Sequence, residues 1–355
     1  LESFAGIDID DGIGGPQAAI LNANLLKISV SDVEIFAGVG GSLVAGEVDF
    51  DPLTATGFGI TGGFVDIAIV TDSLPDPLAG PTDPVPVTPQ RTFMGVVGGA
   101  EIVAPYGLPT DLNIAAYDLL FSMNSASDGT VTPVDRLNWA GVAQVDDLLI
   151  SELTDENELA VSGTLTANIA GFIVLAGTFD LAVTSPTNVA IDANTTLTDG
   201  KLLALSLTDV SLFVGSGGSL VAPVEATDVW AADPGDGVGF FVGGANLKLG
   251  ILKADPVALP GDTRSWTGLG ITIDTVGLVG LGDILTLNAT NVGVLFNSAG
   301  GTDALLADNT TKLDWETGVG TFMIDGLTRD VDVQASGSAE INISGFIVGS
   351  CLLYT

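Results

Sequence analysis

Residues 161–183 read VSGTLTANIAGFIVLAGTFDLAV. The odd positions are Val, Gly, Leu, Ala, Ile, Gly, Ile, Leu, Gly, Phe, Leu and Val, while the even positions open with Ser, Thr, Thr, Asn and Ala. A period of two marks β-strand with one apolar face. At about 3.3 Å per residue the run would extend for about 75 Å, far beyond an ordinary strand. It therefore either bends near Gly171 or forms a pair of strands in a stacked array. Phe172 and Val174 make both faces apolar at that point, as do Phe346 and Val348 in a second occurrence. The outer face there needs a cover.

That second occurrence belongs to a long internal repeat. SGTLTANIAGFIV at 162–174 returns as SGSAEINISGFIV at 336–348, and DVEIFAGVGGSLVA at 32–45 returns as DVSLFVGSGGSLVA at 209–222. RTFMG at 91–95 returns as RSWTG at 264–268, and RLNW at 136–139 as KLDW at 312–315. Four matches in one order, at nearly one spacing, describe two diverged copies of one unit. An end segment, 1–25, precedes copy one at 26–202 and copy two at 203–355. Copy two stops short of copy one by roughly the length of that end segment, so the two ends complement each other. A segment of a longer array has this form, and so does a subunit whose terminal strands complete its neighbour. A shorter period also lies inside the long one. LKISVSDVEIF (26–36), LNIAAYDLLF (112–121), LSLTDVSLF (205–213) and LNATNVGVLF (287–296) each place an Asp or Asn between two apolar strands.

Composition narrows the function. The 355 residues carry 44 acidic and 9 basic side chains, a formal charge of −35. Nucleic acid is excluded as a partner, because phosphate binding needs clustered Lys and Arg. The charge keeps an otherwise apolar chain in solution and suits a salty or calcium-containing exterior. No apolar run reaches the length of a membrane-spanning helix, and four Trp with three Tyr are too few for the aromatic girdles of a membrane barrel. Helical periodicity is absent, and glycine and β-branched residues dominate. Turn-rich pieces separate the strands, among them the proline-rich 73–90. The chain reads as all-β: tandem repeats of long alternating strands in a β-solenoid or extended stacked sheets, with two β-sandwich domains as the alternative.

The chemical candidates are few. GVGGSLVAG at 38–46 follows an apolar strand as a dinucleotide-binding loop would, but EVDFDP follows it where a helix is required. A glycine turn between strands explains both copies. Asp8, Asp10 and Asp11 in DIDDG, with Asp49 and Asp51, are the candidate ligands for a structural calcium ion. The spacing departs from an EF-hand loop, and an acidic solvated turn is the simpler reading. With no histidine, and Cys351 the sole cysteine, His-based nucleophilic triads are unavailable, and no enzymatic activity is expected. Arg91 and Arg264, and Arg136 and Lys312, recur in the two copies and are expected to pair with carboxylates. Trp139 and Trp315 recur beside them, as core anchors or as a sugar-stacking platform. Asn194, Asn288, Asn309 and Asn342 are glycosylation sequons.

VSGTLTANIAGFIVLAGTFDLAV and DVSLFVGSGGSLV resemble repeats of very large secreted bacterial surface proteins of the adhesin-like kind. The resemblance implies a cell-surface or extracellular role in which repetition supplies length, and it assigns no catalytic or ligand residue. The resulting expectation is a structural segment of an extracellular fibre, filament or surface layer whose partners are copies of itself, head to tail. An adhesin stalk binding glycans or cell-surface components, and an open β-groove carrying lipid, are the alternatives.

Overall fold

A computed structural model describes residues 2–10, 19–44, 47–50, 55–73, 90–109, 111–128, 135–225, 228–282, 284–305 and 307–354. The chain opens with β1 (Glu2–Asp10), β2 (Ala19–Val39), β3 (Gly41–Val44), β4 (Glu47–Phe50), β5 (Thr56–Ser73), β6 (Gln90–Tyr106), β7 (Leu112–Ser127), β8 (Asn157–Ile169) and β9 (Ile173–Thr184). There follow β10 (Thr187–Ala190), β11 (Thr196–Ser216), β12 (Ser219–Val221), β13 (Ala231–Asp233) and β14 (Val238–Ala254). The last are β15 (Ser265–Val279), β16 (Leu285–Gly300), β17 (Val333–Ile343) and β18 (Ile347–Tyr354).

The protein is all-β, and its long strands form one fourteen-stranded antiparallel sheet in the order β1-β2-β5-β6-β7-β8-β9-β11-β14-β15-β16-β17-β18, with β10 beside β11. This differs from two facing sheets of a sandwich, because each long strand turns back to pair with its neighbour in sequence. The sheet thus widens one strand at a time. It does not close into a barrel, and β1 and β18 lie at its two ends. Residues 161–183 bend at the expected place: β8 turns into β9 through Ala170 and Gly171, both at positive φ (55° and 64°).

β2 and β11 are 21 residues long, about 70 Å at 3.3 Å per residue. Such length is interrupted midway. Asp32, Asp118, Asp209 and Asn291 adopt φ of 54°, 50°, 53° and 50°, and the pairing registers slip beside each of them. These are the Asp/Asn positions of the short sequence period. Asp and Asn tolerate the left-handed region better than other residues bearing a Cβ, so each supplies a bulge that bends a strand too long to stay flat.

The two faces of the sheet differ. One face is covered near one end by return segments. Residues 135–156, with three single-turn 3-10 helices, pack Leu137, Trp139, Val142, Val145 and Ile150 onto Leu25, Ala68, Val70, Phe93 and Val97. Residues 301–332 place Leu313, Trp315, Val319, Ile324 and Leu327 on Leu202, Leu252, Ala254 and Trp266. At the other end the β12–β13 hairpin brings Ala232 onto Val174 and Phe213. Burial of the Trp, Leu and Ile side chains in the first two clusters and of Phe213 in the third stabilises the fold at about 25 cal/mol per Å2.

Candidate functional site

Each return segment is held by one buried amide. Asn124 Nδ2 donates to the Leu137 and Thr154 carbonyls at 2.9 and 2.8 Å, and its Oδ1 accepts from Trp139 Nε1 at 3.0 Å. Asn297 Nδ2 donates to the Leu313 and Thr328 carbonyls at 2.8 and 3.0 Å. Its Oδ1 and Trp315 Nε1 are buried without a hydrogen-bond partner. Glycine makes room for both indoles: a Cβ at Gly95 would lie 2.8 Å from Trp139 Cε2, and one at Gly268 would lie 2.6 Å from Trp315 Nε1. Both tryptophans are fully buried. They anchor the core, and neither presents a ring on which a sugar could stack.

Of the recurring cations, Arg264, Lys312 and Arg136 stand beside carboxylates. Arg264 forks onto Asp262 and lies over the Trp266 ring, as Arg91 lies over Phe93. Lys312 meets Asp332 at 2.7 Å, and Arg136 meets Glu158 at 3.6 Å. Glu158 also takes Lys201 and Ser185, with Asp255 3.9 Å from Lys201; Arg136, Ser185, Lys201 and Asp255 line a cleft of about 390 Å3. Burial would raise the Glu158 pKa, but the Lys201 hydrogen bond and the charges of Lys201 and Arg136 outweigh it, and the carboxyl is held below its usual range. Lys27 is nearly buried between Asp147 at 2.7 Å and Glu2 at 3.4 Å. Burial would lower its pKa, but those two partners dominate and raise it. The pairs of Arg136 and Lys201 with Glu158, and of Lys27 with Asp147 and Glu2, act as latches, while Asp135, Asp155, Glu156 and Asp199 also line the cleft.

The opposite face of the sheet is apolar and open. Strand alternation puts Val30, Phe121, Leu159, Leu165, Leu203 and Phe296 on it, each between 36% and 43% exposed. At its middle, Val161, Leu165, Leu175, Phe179, Leu181 and Leu207 line a groove of about 470 Å3. Patches of this kind on a protein surface mark a place of contact. Period-two alternation was the signal for this face, but sequence could not say which of the two faces its own loops would cover.

Residues 38–44 of GVGGSLVAG run from the end of β2 into β3, the first strand of the β3–β4 hairpin, with the chain turning at Gly40 (φ 96°). Of the calcium candidates, Asp8 and Asp10 lie in β1, which pairs with β2; Asp11 and Asp51 lie outside the described residues, as do the side chains of Asp8, Asp10 and Asp49. Among the described residues no cluster of three or more His, Cys, Asp or Glu side chains is arranged to hold a metal ion. The proline-rich 74–89 also lies outside them. Among the described residues no helix is long and apolar enough to cross a membrane. No protein-family model matches the chain, and neither a curated protein nor a solved structure is significantly similar to it.

Proposed function

We propose that the chain is a structural unit of an extracellular fibre, filament or surface layer, made of two copies of one strand-and-loop repeat and extended head to tail. One observation carries this reading: the covering nest occurs twice. Asn124, Leu137, Trp139 and Thr154 over Gly95 have counterparts in Asn297, Leu313, Trp315 and Thr328 over Gly268, in the same order and at nearly one spacing. A unit that buries its loop on its own strands, and leaves a sheet edge for the next strand, extends by repetition. The resemblance to bacterial surface-protein repeats and the charge of −35 favour a place outside the cell. The polar clusters that are present serve packing, which suits a mechanical role and no catalytic one. Sedimentation velocity and negative-stain microscopy over a concentration series, with and without calcium, test the proposal. Linear, concentration-dependent assemblies are expected; dispersed monomers under every condition would overturn it.

The open apolar face favours a second reading, a carrier of lipid in the groove at β8, β9 and β11. It predicts lipid copurifying with the chain. Organic extraction and mass spectrometry that recover none would remove it.

A further inference from the structure

The β17–β18 hairpin repeats β8–β9 residue for residue at an offset of 174. Ile343 opposite Ile347 matches Ile169 opposite Ile173, and Ser336 opposite Tyr354 matches Ser162 opposite Asp180. The turns match too, Ser344 and Gly345 having φ of 49° and 70°. The two hairpins differ in what lies beyond them. β9 is an interior strand whose far flank holds β11, from Ile173 opposite Val214 to Thr184 opposite Leu202. Val174 is fully buried there against Phe213, and the Gly171 and Phe172 carbonyls accept from the Gly218 and Gly215 amides at 3.0 and 2.8 Å. The far flank of β18 holds no strand among the described residues. Val348, the counterpart of Val174, is 70% exposed, and Phe346 is 90% exposed.

β2 is the counterpart of β11 at an offset of 177. Asp32 and Asp209 share the bulge, and Gly40 and Gly217 have φ of 96° and 95°. A Cβ at Gly41 would strike the Phe36 ring at 2.4 Å, as one at Gly218 would strike the Phe213 ring at 2.2 Å. β1 pairs with β2 only from Ala19 to Lys27. Beyond that, Ile28 to Val39 present a flank with no strand among the described residues. A hollow of about 260 Å3 opens beside it, between Phe36, Gly38, Gly41, Leu43 and Val48.

We infer that β18 of one copy pairs with this flank of β2 in a second copy. Carrying over the β9–β11 register sets Ile347 opposite Ala37, Val348 opposite Phe36, Gly349 opposite Ile35 and Ser350 opposite Glu34. Past the Asp32 bulge it sets Leu352 opposite Ser31, Leu353 opposite Val30 and Tyr354 opposite Ser29. The second copy's own β1 begins with Glu2 opposite Lys27, two residues further along. Both strands run antiparallel to β2, so β18 and the second copy's β1 lie in line as one row of the sheet, as the single strand β9 does inside the chain. Val348 fills the hollow at Phe36 as Val174 packs on Phe213. The contact is heterologous: each addition leaves one β18 and one β2 flank free, so it propagates as strand addition.

The inference rests on the reading of the chain as a repeating structural unit, and a cross-link separates the two. Cys351 is the counterpart of Gly177, where a Cβ would lie 3.5 Å from the Val210 Cβ, a separation a disulfide spans. The counterpart of Val210 is Val33. The Val33→Cys chain of 355 residues, oxidised at assembling concentration, is expected to give a ladder of linked chains with a peptide joining position 33 to position 351. Val348→Asp in that background should reduce the linked fraction at least tenfold. Gly177→Cys with Val210→Cys, in a Cys351→Ser background, should close within one chain and verifies the geometry in a folded protein. Assemblies by sedimentation without the 33–351 peptide, or a ladder undiminished by Val348→Asp, would overturn this pairing and leave the structural-unit reading standing. Neither assemblies nor cross-links would overturn both.

Discussion

Asn124 and Asn297 do the same work with unequal means. Each ties two carbonyls of a return segment to the sheet, but only Asn124 also takes the indole N–H. An unsatisfied buried polar group costs about 1–3 kcal/mol, so Asn124→Ala should destabilise by about 3 kcal/mol or more and Asn297→Ala by less. Urea denaturation of the two variants measures the order. Glu158 makes stability depend on acid. Its folded pKa is lowered, so its contribution is fully present above the unfolded value of about 4.3 and is lost as pH falls through the lower folded value. The wild type should therefore exceed Glu158→Gln in urea midpoint at pH 7, and the difference should shrink steadily below about pH 4. The recurring Trp and cation were legible in sequence, and the Asn recurs with them as NSA at 124–126 and 297–299, but the carbonyls it ties down were not.

At the scale of elements, the Asp/Asn of the short period became a line of bulges across the sheet. A left-handed residue bearing a branched Cβ costs about 1–2 kcal/mol, whereas glycine carries no such penalty. Asp209→Val should lower stability by at least that amount, and Asp209→Gly should change it little; thermal unfolding of both checks the pair. Strand existence and the bend at Gly171 were legible from alternation alone; of the residues expected to need a cover, Val174 is buried, whereas Phe172, Phe346 and Val348 are exposed within the chain. Strand order was not legible, because period two sets the faces of a strand and leaves its neighbours open. Nor was the covering role of residues 135–156 and 301–332. Their apolar residues follow neither a period of two nor one of 3.6, and the chain folds them into short 3-10 turns and irregular loops.

At the scale of the whole molecule, the sheet has two open ends, one open face and a strongly acidic surface. Charges of one sign repel over about 10 Å at 0.1 M salt and over about 30 Å at 0.01 M, so assembly should strengthen as salt rises. Thirteen strands lie on the path from β1 to β18. When β18 and the next copy's β1 share one row, each chain adds twelve rows. At about 4.8 Å per row the subunit repeat is about 58 Å along the sheet, with a half-repeat of about 29 Å from the two copies within each chain. Electron microscopy of assemblies grown in moderate salt, with the periodicity read from image transforms, measures this directly. Reflections at the subunit repeat and at its half are the expected result; assemblies of another spacing, or monomers alone, would contradict the head-to-tail sheet.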